Sequence, residues 1–156
     1  MTPIVRTHLQ RIDAPPAEVF PLLCPVREAE WLDGWREHCE VLFTRSGVAE
    51  RDCVFRTPAG ADEMVWLVTL HDAGARRVEF ARVVPGLEAG TLRLAVLPDG
   101  PDRSFVHVEY TVHALSAAAA PRVAERWEEA AFRANQEHWE ASMNHFLRTG
   151  AMLPAR

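Results

Sequence analysis

The spacing of apolar positions changes period along this chain, and each change marks a boundary between elements. From Ile4 to Ile12 it alternates weakly (Val5, Thr7, Leu9, Arg11), which predicts a first strand. Ala14-Pro15-Pro16 stops it. Pro16 suits a first helical position because its φ is preset and its missing N–H is not needed there, so a short helix runs through Phe20, Leu22 and Leu23 until Pro25. Val26 to Trp35 predicts a second short helix with Trp31, Leu32 and Trp35 as its apolar residues and Glu28, Glu30 and Asp33 outward. Gly34 loosens its end.

From about Glu37 the period becomes two. The predicted strands are Cys39 to Arg45, Asp52 to Thr57, Glu63 to His71, Arg77 to Val84, Thr91 to Leu97 and Arg103 to Leu115. Between them stand Ser46-Gly47, Pro58-Ala59-Gly60, Asp72-Ala73-Gly74, Pro85-Gly86 and Pro98-Asp99-Gly100-Pro101, the punctuation of a hairpin meander.

The last change is to helical period. Phe132, Trp139, Met143 and Phe146 fall on one stripe of a single amphipathic helix predicted from Pro121 to Leu147, with Ser116 capping its lead-in and Gly150 as a left-handed stop. Its other side carries Arg122, Arg126, Glu129, Arg133, Glu137 and Glu140 and is expected to be solvated. The order predicts an α+β fold: a curved seven-stranded antiparallel sheet wrapped around the long C-terminal helix, with two short helices after the first strand.

Composition narrows the picture without changing it. At 156 residues, 48% hydrophobic and 25% charged, the chain is expected to be one domain with a real core. No apolar run approaches the ~20 residues of a bilayer span and Met1 to Arg11 lacks a signal-peptide core, so a cytoplasmic location without integral membrane association is expected. A net charge of −5 without a basic cluster argues against nucleic acid. Cys24, Cys39 and Cys53 are odd in number and widely spaced, so reduced, buried thiols are expected rather than a disulfide framework.

Three stretches resemble the START-like superfamily, also called SRPBCC or helix-grip, which includes pollen allergens, lipid-transfer domains and polyketide cyclases. Ile12-Asp13-Ala14-Pro15-Pro16-Ala17-Glu18-Val19-Phe20 is similar to its strand-to-helix junction. Trp31 and Trp35 stand where its second short helix often carries tryptophan, and Trp139 to Gly150 resembles the closing helix of uncharacterised bacterial members. The resemblance covers nearly the whole chain and implies a cavity between sheet and helix, but no shared catalytic motif.

Alternation suggests what lines that cavity. Met64, Trp66, Val68 and Leu70 share one face of their strand, as do Val106, Val108, Tyr110 and Val112, and both sets are assigned inward. Glu63, His107, Glu109 and His113 then face water. On the strand from Arg77 the bulkier set, Val78, Phe80, Arg82 and Val84, is the better inward candidate. An inward Arg82 suits bidentate capture of an acidic head group; the alternatives are a strand turned over or a guanidinium reaching the rim. Gln136 and Tyr110 can offer an amide and a hydroxyl, or be satisfied by backbone or water. The candidate ligand-binding set is therefore Trp35, Met64, Trp66, Phe80, Arg82, Tyr110, Gln136, Trp139 and Met143. His107 with Glu109 is a weak metal motif, and as a pair turned inward it is the main route to acid–base catalysis. No metal or cofactor is expected.

The expected function is binding of a hydrophobic or amphipathic small molecule, such as a lipid, fatty acid or aromatic polyketide. The alternatives are a cyclase, aromatase or dehydratase working in the same cavity, and a co-chaperone-like interaction module. A homodimer is left open.

Overall fold

The computed structural model describes residues 1–154. Seven antiparallel strands form one sheet in the order β1-β7-β6-β5-β4-β3-β2. They are β1 (Ile4–Ile12), β2 (Glu40–Phe43), β3 (Val54–Ala59), β4 (Asp62–Asp72), β5 (Arg77–Val84), β6 (Glu88–Pro98) and β7 (Ser104–Ala114). The six from β2 onward each pair with their sequence neighbour, from β3 to β7 through short turns and from β2 to β3 through the longer segment 44–53, whereas β1 closes the sheet against the distant β7.

The inward faces follow the alternation. Val78, Phe80, Arg82 and Val84 are buried, as are Val106, Val108 and Val112, while Glu109 sits on the convex face and accepts from Arg93 Nη1 at 2.9 Å. His107 shares that convex face, so neither member of the His107 and Glu109 pair reaches the cavity. One assignment fails. A bulge between Val68 and Leu70 inserts a residue into β4, so Leu70 pairs with outward Glu79 and His71 takes the inner register opposite Val78. The inward set of β4 therefore ends at Val68.

Gly90 on β6 lies tight against the backbone of β7. A Cβ there would lie 2.1 Å from the carbonyl oxygen of Thr111, a backbone atom that cannot swing aside. Gly90→Ala is expected to destabilise the fold by about 2–3 kcal/mol, as overpacking against backbone does, read as a lower urea midpoint at unchanged slope.

The helical segments differ from expectation in two places. After α1 (Pro16–Val19) and a 3-10 turn (Phe20–Leu22), the stretch from Val26 to Trp35 is not one helix. Gly34, at φ 76°, separates α2 (Glu28–Trp31) from α3 (Trp35–His38), because a left-handed residue cannot continue a right-handed turn. Glu28, expected to face outward, is buried.

The C-terminal helix is also two helices, α4 (Ala120–Arg126) and α5 (Glu129–Thr149). Arg6 Nε donates to the carbonyl of Trp127 at 2.9 Å, and the Glu128 carboxylate accepts from the N–H of Ala131 at 2.9 Å, so α5 starts with its own N-cap. Ser116 caps the turn before α4 through the N–H of Ala119 at 3.1 Å, and Gly150 ends α5 at φ 71°, as the sequence suggested. Helix α5 is tied to the end of β1. Arg11 N donates to Glu140 at 2.7 Å and Asp13 N to Asn144 at 2.8 Å, both at the surface. No described helix is long and apolar enough to cross a membrane.

Candidate functional site

Where α2, α3 and α5 meet the concave sheet, the side chains leave a cleft of about 70 Å³. Its walls are Trp35, Trp139, Phe55, Trp66, Phe80 and Tyr110, with Pro25, Leu92, Leu94 and Glu28 completing it. The rings hold one another by their edges and faces. Trp139 stands edge-on to Trp31 at 5.5 Å and to Trp35 at 6.3 Å, and Phe55 stacks flat on Trp66 at 5.5 Å. Two of the three indole N–H groups are satisfied within the protein: Trp35 donates to the Pro25 carbonyl at 2.7 Å and Trp66 to the Thr57 hydroxyl at 3.0 Å.

Glu28 is the exception in this apolar wall. It is 6% exposed, and no side chain or backbone group among the described residues hydrogen-bonds its carboxyl. Burial alone therefore raises its pKa to about 8, and the group is mostly un-ionised at neutral pH. Tyr110 lines the same cleft and is pushed up to about 12 by burial, a rise that the nearby Arg82 opposes.

On the other side of Trp66 and Tyr110 lies a buried ion pair. Arg82 Nη2 donates to Glu88 Oε1 at 2.7 Å, with side-chain exposures of 3% and 1%. Trp127 Nε1 donates to Glu88 Oε2 at 3.1 Å, and Arg126 approaches the same oxygen at 3.5 Å. The guanidinium lies 5.1, 5.6 and 4.7 Å from the ring centroids of Trp66, Tyr110 and Trp127, and its Nε points at the Met64 sulfur at 3.2 Å. Arg82 is thus inward as the alternation suggested, and the carboxylate beside it is the chain's own Glu88. Nη1 alone has no partner among the described residues.

The nine residues read from the sequence divide accordingly. Trp35, Trp66, Phe80, Tyr110 and Trp139 come together in the cleft. Gln136 lies just below it, accepting from Gln10 Nε2 at 3.1 Å. Arg82 and Met64 belong to the ion-pair site, and Met143 is fully buried in the core. Sequence reasoning missed Glu28, Glu88 and Trp127. Glu88 carried a legible signal, because it faces Val84 across the β5–β6 turn and so shares the inward side of Arg82, but the strand was started three residues too late, at Thr91.

Neither protein-family models nor curated protein sequences match this chain. Among solved structures it is similar to norcoclaurine synthase from Thalictrum flavum in complex with dopamine and hydroxybenzaldehyde. The TM-score is 0.70 at 12% identity, covering 94% of this chain and 87% of that one. It is similar to an aromatase/cyclase from a Streptomyces species at TM-score 0.64 and 13% identity, covering 97% and 99%. A protein of the dynemicin biosynthetic locus matches at TM-score 0.64 and 16% identity over 94% of this chain and 48% of that one, so this chain spans about half its length. At these identities the likeness is one of fold.

Proposed function

We propose that this chain, which has the helix-grip fold of the START-like superfamily, binds a small aromatic or amphipathic molecule in the cleft beneath α3. The observation that supports this most is the wall of six aromatic rings converging on one space. Packing against a preset aromatic wall rewards a planar ring more than a flexible acyl chain, whose ordering costs entropy.

Size supports the same choice. At about 70 Å³ the cleft is roughly half the volume known to accommodate benzene, so a ring enters only if a wall moves, and a long-chain lipid needs far more. Helix α3 is the wall suited to move. It is one turn long, buries none of its residues, hinges at Gly34 and separates the cleft from a surface groove lined by Arg36, His38, Cys39, Arg56 and Thr57.

Titration with 1-naphthol, followed by tryptophan fluorescence, tests this, since three indoles line the cleft. Saturable quenching at micromolar naphthol is expected, reduced at least tenfold in affinity by Trp66→Ala. Tight stoichiometric binding of oleate with no response to naphthol would replace this reading with a lipid carrier. A catalytic use of the cleft draws support from Glu28 alone, because an un-ionised carboxyl can lend a proton to a bound carbonyl and recover it.

A further inference from the structure

Trp66 and Tyr110 border two sites with related chemistry. At one, the Arg82 cation lies against these two rings and Trp127, and a buried carboxylate, Glu88, balances it. At the other, the same two residues join Trp35, Trp139 and a second buried carboxyl, Glu28. The two halves share a recipe, aromatic faces plus one acidic side chain. They differ in that the chain supplies a cation to Glu88 and none to Glu28 among the described residues.

We infer that the cleft ligand is an organic ammonium ion, its charged nitrogen held against the aromatic wall and bonded to the Glu28 carboxylate. Cation–π attraction strengthens when the partners leave water, and a carboxyl without a hydrogen bond is costly to keep buried, so one ammonium group resolves both. The cleft volume of about 70 Å³ suits an ammonium head with a few carbons, leaving the rest of the ligand to the space that α3 yields. A neutral ligand would leave the carboxyl to a single hydrogen bond. An anionic one would meet π faces of the wrong polarity.

Binding is then coupled to a proton. The free protein holds Glu28 as the acid, the ammonium ligand arrives charged, and the complex contains carboxylate plus ammonium, so one proton leaves to solvent. The titratable groups facing Glu28 are Cys39 at the end of α3 and Tyr110 on β7, both raised to about 12 by burial. The surfaces from β3, β4, β5, β6 and α5 are apolar or aromatic. Glu28 is therefore the group that titrates near neutrality.

This inference rests on the aromatic-cleft reading, and the test separates the two. Benzylamine and benzyl alcohol, nearly identical in shape, are titrated calorimetrically into the wild type and Glu28→Gln from pH 6.5 to 8.5, in two buffers of different ionisation enthalpy. At pH 8 the amine is expected to bind at least tenfold tighter than the alcohol. Its affinity should rise roughly twentyfold across the range with release of up to about one proton, while the alcohol shows neither effect. In Glu28→Gln the two ligands should bind alike. Equal binding of both to the wild type overturns the ammonium inference and leaves the cleft reading standing; binding of neither overturns both.

Discussion

Glu88→Gln is expected to cost the fold about 3–5 kcal/mol, because it leaves the Arg82 guanidinium buried without a counter-charge. The environment offers little relief. Three aromatic rings and a thioether surround the cation, one of its nitrogens is already unpartnered, and burial already lowers the Arg82 pKa. The ion pair as a unit is a different matter. Removing both partners in Arg82→Met with Glu88→Leu eliminates the desolvated charges together, and the double variant should recover most of the single variant's loss. Urea unfolding of the wild type, both single variants and the double variant gives the coupling directly. A loss below about 1 kcal/mol for Glu88→Gln would mean that α4 opens readily enough to hydrate the arginine. That outcome would remove the ion pair as the element fastening this end of the sheet.

The second large effect depends on pH. Glu28 has a folded-state pKa of about 8 against an ordinary 4.5, so the folded protein binds the extra proton and the unfolded chain releases it. Its contribution to stability is intact below pH 4.5 and is lost progressively as pH rises through 8. The loss is on the order of 4 kcal/mol by pH 8.5. Glu28→Gln carries no such penalty. It is expected to match the wild type near pH 4.5 and to exceed it by several kcal/mol at pH 8.5, measured as urea midpoints across the range. Parallel curves for the two proteins would show that the Glu28 carboxyl is solvated after all.

Strand order and facing were legible from the chain because they depend on local rules. Alternation in Arg77–Val84 and Ser104–Ala114 put Arg82 and Tyr110 inside, and the tight turns allowed only a meander. Trp35, Trp66, Phe80, Tyr110 and Trp139 were readable as lining because large apolar residues on an inward face have nowhere else to go. The failures came where a single residue interrupted a period. The bulge before Leu70 reversed the facing of the end of one strand, Gly34 divided one helix, and the Trp127 carbonyl, taken by Arg6 from a strand 121 residues away, divided another.

By itself, then, the sequence determined the sheet, its faces and the aromatic character of its interior, since hydrophobic periodicity and turn chemistry act over a few residues. Only the tertiary structure decided what is charged inside. Whether a carboxyl is buried beside a guanidinium, as Glu88 is, or among rings alone, as Glu28 is, depends on which distant surfaces meet around it. The energy of a charge is set by that surrounding medium and not by its neighbours along the chain.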